Sequence, residues 1–561
     1  MKTPRKSVAL IAAATVAFSL LTIQGAATAS SDSPTFVVLA DDAASVDGAI
    51  ASVEAAGGQV ERVNRAIGLI TVSAPDESFV AAVASKTDVA GVARDTPIGS
   101  VPNDAAQHRD AVEQEGRDQA NAKKGSHDKP VAAEPLASYQ WDMRMIGATP
   151  QGSYKEQPGS KDVLVGIIDT GIDGSHPDIA PNFNRTLSRN FTHDIPLIDG
   201  PCADEPDQSC EDAADVDEDG HGTHVAGTIA SPINGLGMAG VAPNVSLVNL
   251  RAGQDSGYFF LGATVDALTY AGDNGIDVVN MSFYIDPWLY NCRSNAADTP
   301  AEQQEQATII DATQRALDYA RKRGVTLIAA LGNENTDLGA ALKTDGTSPD
   351  FPPGTEKVRT VTNDCLDMPT EAKGVIAVSS VGPSGKKSDF SNYGLEQNDV
   401  AAPGGFYRDF AGTPQSRQPE NLILGPYPKN VALANGDVDA TTGESLSPFV
   451  IAECSATGID NCAYYQLIQG TSMAAPHAVG VAALIVSEEG RRDWRKGGLT
   501  MDPAKVEQVL RRSATDVACP APVITYTAEG RSSAYDAACI GNAKRNSIYG
   551  DGIINAKRAV D

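Results

Sequence analysis

The first 200 residues contain no cysteine; all eight lie beyond that point. Positive charge is scarce, with 44 Lys and Arg against 72 Asp and Glu, a net charge of −28. Such an acidic chain is a poor partner for nucleic acid or an anionic membrane surface. After the first two dozen residues no apolar run is long enough to span a bilayer. No G-x-G-x-x-G follows a strand and no G-x-x-x-x-G-K-[ST] is present, which removes the usual nucleotide-binding signals. No internal repeat is evident. Val101–Ser138 lacks Phe, Tyr and Trp altogether and reads as an exposed linker.

What is present begins with Lys2, Arg5 and Lys6, an apolar run from Val8 to Ile23, and Ala27-Thr28-Ala29. That is the pattern of a signal peptide over 1–29, and it predicts a secreted, extracellular protein. An even cysteine count in an exported chain predicts disulfides, for which 105 pairings exist. Short separations favour Cys202–Cys210, Cys454–Cys462 and Cys519–Cys539, leaving Cys292 with Cys365. At 561 residues, 42% hydrophobic and 21% charged, the chain has the length for two or more globular domains.

Residues 35–100 alternate as βαββαβ, with strands over Thr35–Ala40, Val60–Val63, Ala66–Val72 and Val89–Arg94 and helices over Ala43–Ala56 and Asp76–Ser85. This is the split βαβ, ferredoxin-like arrangement. From Tyr139 onward strands and helices alternate over a much longer stretch. Val163–Ile168 is a continuous apolar run, as a strand covered on both faces requires. The predicted fold is therefore α/β, a parallel sheet flanked by helices, preceded by a small α+β domain. In such sheets, sites lie beyond the carboxyl ends of the strands. A small domain, a linker and a large domain form a precursor layout, with 30–100 as propeptide, 101–138 as the region of the maturation cut and 139–561 as the working domain. Insertions are expected at 192–219 and 404–467.

Four motifs fall at strand ends or helix starts. Asp169 closes Ile167-Ile168-Asp169-Thr170-Gly171. His221 opens a helix in Asp219-Gly220-His221-Gly222-Thr223-His224. Asn333 closes Ala330-Leu331-Gly332-Asn333. Ser472 opens a late helix in Gly470-Thr471-Ser472-Met473-Ala474-Ala475-Pro476-His477. Each has a plain structural reading: a turn after a strand, a metal pair of His221 with His224, a helix cap. Together they supply another chemistry. A serine hydroxyl needs an imidazole base, the base needs a carboxylate to fix its tautomer, and a helix start favours the negative charge that follows attack.

In this order, Asp then His then Ser, the segments resemble the subtilisin-like serine proteases over about Tyr139 to Asp561. The small domain resembles the inhibitory propeptide of that family. The resemblance implies that Asp169 orients His221, that His221 is base and then acid, and that Ser472 attacks the carbonyl. Asn333 and the Ser472 N–H would form the oxyanion hole. His224 and His477 would be structural. Substrate would pair as an added strand with Ser256–Phe259, including Gly257, and with Ser282, Phe283 and Tyr284. Tyr284 stands where the family usually has Gly, and Leu331 where it usually has a small residue; both predict a narrowed or reshaped cleft. Asp367 falls at the base of the pocket for the residue before the cut bond, where a carboxylate would select Lys or Arg; a solvated loop acid beside Cys365 stays open as the alternative. Asp178 and Asn234, with the carbonyls of Pro232, Leu236 and Met238, match a structural Ca²⁺ site. Catalysis itself implies no cofactor.

Asp199–Asp219 carries ten acids and no Lys or Arg; it could favour basic substrates near the cleft or bind Ca²⁺, and reads first as a solvated insertion. The functional expectation is a secreted, monomeric serine endopeptidase acting on protein or peptide substrates. It would mature by cutting off its own propeptide, which acts as an intramolecular inhibitor; Lys123-Lys124 is one candidate cut. No nucleic acid is expected as a partner, nor a membrane once the signal is removed. The rivals are a dedicated processing protease for one partner precursor and an idle pseudo-protease used for binding.

Overall fold

Valine and isoleucine dominate one interior strand of the large sheet, and both of its faces are covered. In the computed structural model, which describes residues 34–95, 111–117 and 134–561 except 197, 205–207, 351–353 and 495, that strand is Leu164–Ile168. Val165 and Ile167 face one apolar cluster and Leu164 and Ile168 the other. Burying each such side chain contributes about 1.5–3 kcal/mol, which is why the strand reads as an unbroken apolar run. The signal peptide expected over 1–29 and the Lys123-Lys124 pair lie outside the described residues.

The strands of the small domain are β1 (Thr35–Ala40), β2 (Gln59–Asn64), β3 (Leu69–Ser73) and β4 (Val89–Arg94). They form an antiparallel sheet in the order β2-β3-β1-β4, with helices over Val46–Ala55 and Ser78–Ala84. Alternation along β1 divides its side chains. Phe36 and Val38 pack with Phe79 and Val53 beneath the domain's own helices. Val37 and Leu39, with Leu69 and Ala93, join the second large cluster against helices Leu261–Asn274 and Pro300–Lys322. Polar contacts fix that seat: Arg315 donates to the Ala40 carbonyl at 2.8 Å, and the Gly262 N–H at the start of its helix donates to Asp95 at 2.8 Å.

The large sheet takes strands β5 (Leu164–Ile168), β6 (Arg189–Asn190), β7 (Ser246–Arg251), β8 (Val278–Met281) and β9 (Thr326–Ala330). A hairpin of β10 (Leu342–Asp345) and β11 (Arg359–Thr362) stands apart from it, and β12 (Val375–Val381) and β13 (Val400–Pro403) complete it. Among the described residues its order is β13-β12-β9-β8-β5-β7-β6, with every pairing parallel. Helices His221–Ala230 and Thr471–Glu489 cover one face, and Leu261–Asn274 and Pro300–Lys322 the other. The last of these begins at Pro300. Thr299 and Glu302 form a capping box with Pro300 at the first helical position, while the following Gln-rich turn offers no apolar period to reveal it.

The 404–467 stretch carries a second, antiparallel sheet of β14 (Ile423–Tyr427), β15 (Val450–Cys454) and β16 (Cys462–Ile468), ordered β14-β16-β15. β16 runs directly into the Ser472 helix, and β14 lies on the His221 helix. The four disulfides are Cys202–Cys210, Cys292–Cys365, Cys454–Cys462 and Cys519–Cys539.

Two expectations are corrected. The 101–138 stretch is not simply an exposed linker: residues 111–117 lie in the cleft of the large domain, and Glu134 and Leu136 are buried against it. The acidic stretch is not merely solvated either. Asp194, Asp212 and Asp255 surround the fully buried guanidinium of Arg251, and Asp217 is buried near the His221 helix.

Candidate active site

β5 ends at Ile168 and delivers Asp169, fully buried, to the carboxyl edge of the sheet. The His221 helix starts behind Gly220, whose φ of 101° suits glycine. Its first side chain meets Asp169: His221 Nδ1 lies 2.7 Å from Asp169 Oδ1. Gly222 is needed here, since a Cβ would come within 2.1 Å of the Gly171 carbonyl oxygen.

Asp217 ties these two pieces together. Its Oδ1 accepts from Thr170 Oγ1 at 3.2 Å and from the Gly220 N–H at 2.9 Å. Its Oδ2 accepts from the Thr223 N–H at 3.0 Å and hydroxyl at 2.5 Å. Burial outweighs these bonds and raises its pKa. Sequence reasoning passed over Asp217 as one acid among ten; its spacing four residues before His221 was the available signal.

Ser472 is the second residue of the helix Thr471–Glu489 and is 6% exposed. Asn333 follows β9, and its Oδ1 accepts from the Thr471 N–H at 3.0 Å and hydroxyl at 2.8 Å. That fixes the amide plane with its NH₂ end turned away from Thr471, in a pocket wall shared with Ser472. His224 and His477 take structural places. His224 Nε2 lies 3.1 Å from the Ile423 carbonyl, and burial pushes the ring down to about 4. His477 bridges the Met473 carbonyl and Asp142.

Glu113 occupies the space between His221 and Ser472. Its Oε1 lies 3.6 Å from His221 Nε2, and its carboxylate accepts from the Ser472 hydroxyl. Burial opposes charge on the imidazole, yet Asp169 and Glu113 outweigh it and hold His221 well above its ordinary value. Burial likewise opposes the Glu113 carboxylate, and the pairing with His221 and the Ser472 bond hold it below its ordinary value. No motif in the sequence announced Glu113.

The pocket around these groups encloses about 330 Å³. Gly257, Ser282, Phe283, Tyr284 and Asp367 lie on its wall. The Phe259 and Phe283 rings stack at 4.1 Å. Leu331 is absent from that wall; its side chain packs behind it with Leu289, Tyr290 and Cys365. Asp367 is 2% exposed, and its Oδ1 has no hydrogen-bond partner. Burial, reinforced by Glu334 and Glu371, pushes its pKa well above the carboxylate range. Glu334, on the same wall, was missed by the sequence reading.

Asp178 accepts from the Asn234 amide at 3.0 Å, the Met238 N–H at 2.9 Å and the Tyr465 hydroxyl at 2.9 Å, and burial pushes it up to about 7. Glu134 accepts from the Gly235 N–H and Glu453 from the Gly237 N–H. Glu134 Oε1 is buried without a partner. The loop therefore offers these carboxylates its N–H groups, and the Asn234 oxygen accepts from the Leu236 N–H at 2.8 Å.

A parallel α/β sheet that gathers an aspartate, a histidine and a serine at its carboxyl edge defines the site of a serine hydrolase. Peptidase_S8, the subtilase family, matches residues 160–552. The chain belongs to that family and is a subtilisin-like serine protease. It is 28% identical over 379 residues to the epidermin leader peptide-processing serine protease EpiP of Staphylococcus epidermidis, covering 67% of this chain and 69% of that one. It is 29% identical over 356 residues to the nisin leader peptide-processing serine protease NisP of Lactococcus lactis, covering 63% of this chain and 44% of that one. The solved structure of EpiP from Staphylococcus aureus superposes with a TM-score of 0.60 at 20% identity, over 94% of this chain and 97% of that one, and shares the fold.

Proposed function

We propose that the chain is a secreted endopeptidase whose Asp169, His221 and Ser472 cut peptide bonds through an acyl-enzyme, held latent until its N-terminal part is removed. The observation that carries this reading is the 2.7 Å contact of His221 with buried Asp169 in one pocket with Ser472. His221 Nε2 takes the Ser472 proton as Oγ bonds to the carbonyl carbon. Negative charge on the carbonyl oxygen falls between the Asn333 NH₂ and the Ser472 N–H. The imidazolium then gives its proton to the leaving amine as the C–N bond breaks, and water repeats the sequence on the ester. Gly257, Ser282 and Phe283 flank the substrate chain. Asp367 pairs with a basic side chain before the cut bond, its orphaned oxygen receiving the cation.

Glu113 supports latency. While it holds His221 as an imidazolium, the ring cannot accept the serine proton. A structural Ca²⁺ among Asp178, Glu134 and Asn234, with the carbonyls of Pro232, Leu236 and Met238, would neutralise the crowded carboxylates.

Narrow specificity, as in a dedicated processing enzyme, is supported by Tyr284 on the cleft wall and by two relatives named for leader peptide processing. Expression of wild type beside Ser472→Ala, with intact mass and N-terminal sequence of each, tests the main reading. Wild type should lose its first hundred-odd residues and Ser472→Ala should not; loss in both would mean that another protease does the cutting.

A further inference from the structure

Glu115, two residues after the glutamate that faces Ser472, is held by three side chains from three separate parts of the fold. Arg408, in the 404–467 insertion, reaches Glu115 Oε1 at 2.5 Å through Nε. Arg531, from a loop near the carboxyl end, reaches Oε1 and Oε2 at 3.3 and 3.1 Å. Gln469, three residues before Ser472, donates to Oε2 at 3.2 Å. All three ionic side chains are largely buried, with 18%, 20% and 15% of Arg408, Arg531 and Glu115 exposed.

The two arginines do not depend on Glu115 for their positions. Arg408 Nη1 donates to the Glu529 carbonyl at 3.1 Å. Arg531 Nε donates to Asp389 at 2.5 Å, and its guanidinium lies 4.5 Å from the centre of the Tyr535 ring. The Gln469 amide is oriented by the Tyr407 N–H, which donates to its Oε1 at 2.7 Å. Removing residues 111–117 would therefore leave a preformed hollow lined by two guanidinium groups, that of Arg531 already paired with Asp389, in a chain of net charge −28. Two guanidinium groups facing one hollow suit a carboxylate.

The backbone of 111–117 follows the same wall. The Gln469 N–H donates to the Glu113 carbonyl at 3.1 Å, and Gln469 Nε2 to the Val112 carbonyl at 3.0 Å. The segment is turned rather than extended, with the Glu115 N–H donating to the Val112 carbonyl at 3.3 Å, so what a substrate shares with it is the hollow around Glu115 and not the path of its backbone.

We infer that Arg408, Arg531 and Gln469 form a subsite that reads an acidic side chain of the substrate, and that Glu115 fills it in the precursor. This rests on the protease reading and adds a second determinant to it, distinct from the Asp367 pocket. Substrates favoured by the mature enzyme would carry Asp or Glu at the one position whose side chain reaches this hollow.

The test uses mature enzyme, freed of its N-terminal part, and a set of peptides with one Glu walked through every position around a fixed cut bond. Each is paired with its Gln counterpart. The readout is the ratio of kcat/KM for the Glu and Gln peptides, in which any misfolded fraction of enzyme cancels. At one position on one side of the cut the ratio should reach roughly tenfold to hundredfold, the scale of charge-assisted hydrogen bonds. It should fall toward one in Arg408→Gln/Arg531→Gln, and invert toward a Lys peptide in Arg408→Glu/Arg531→Glu. A ratio near one at every position, or a preference that survives both double variants, overturns the inference. Cleavage of the Gln peptides keeps the two readings apart: if they are cut while no position favours Glu, the protease stands and the subsite falls.

Discussion

Replacing Glu113 by Gln removes one negative charge 3.6 Å from His221 Nε2 while keeping the side chain's shape. Both partners are mostly buried, at 10% and 15% exposure, so solvent screens the pair weakly. An opposite charge at this range shifts a neighbour's pKa by roughly one to three, equivalent to roughly 1.4–4 kcal/mol. His221, raised by Asp169 and Glu113, should therefore fall by about that amount, with Asp169 still holding part of the shift. The assay is a proton NMR titration of the imidazole C–H signals in the precursor carrying Ser472→Ala, which prevents self-cutting. His221→Gln assigns the signal among seven histidines. The sign also sets a pH window. His221 is raised in the folded chain, so its share of the pair is complete below its ordinary 6.5 and is lost as pH rises through the raised value. Glu113 is lowered, so its share is present above its ordinary 4.5 and is lost as pH falls through the lowered value. The segment should sit most firmly between those limits. A His221 pKa that moves by less than about 0.3 on Glu113→Gln would refute the pairing, since even a weak charge partner exceeds that.

Asp217→Ala should cost about 2–5 kcal/mol in a denaturant melt, because it strips acceptors from the Thr170 and Thr223 hydroxyls and two buried N–H groups; kcat should fall with it as Asp169 and His221 lose their common brace. Asp367→Asn should remove selectivity for Lys or Arg before the cut bond, read as the ratio of kcat/KM for Arg and Phe peptides. In the parent that ratio should climb with pH, because the raised carboxyl must ionise before it can pair with the cation. Chelation by EDTA should lower the Tm by several degrees if Ca²⁺ sits among Glu134, Asp178 and Asn234, and Glu134→Gln should blunt that response.

Elements with strong local signals were legible in the sequence. A helix was expected to open at His221 and does so, because a glycine, a histidine and a run of small apolar residues mark it. The split βαβ order of the small domain was readable for the same reason, since Gly57-Gly58 ends its first helix and β1 is an apolar run. Ends were less legible, as at Pro300, where a polar first turn hides the start of the helix. At the site, Asp169, His221, Asn333 and Ser472 were all named in advance, since each sits at a strand end or helix start with a distinctive neighbourhood. Glu113, Glu134, Asp217 and Glu334 were not. Their importance comes from burial against residues distant in the chain: Glu113 meets His221 108 positions away, and Glu134 meets Gly235 101 away. An acid in a polar stretch looks the same whether it ends in water or under a loop.

The seat of the small sheet on helices Leu261–Asn274 and Pro300–Lys322 has a kinetic consequence. Val37, Leu39, Leu69 and Ala93 share one apolar cluster with those helices, and Arg315 grips the Ala40 and Asp41 carbonyls. None of these contacts is broken by cutting the chain between the two domains. A cut changes only their molecularity: what was held at a high effective concentration becomes a pair of separate chains obeying mass action. On the proposed reading of a self-processing precursor, processing and the appearance of activity become two events with different orders, the first independent of protein concentration and the second hastened by dilution. A crowded pool of processed enzyme would stay quiet, and the same pool would wake as it spreads.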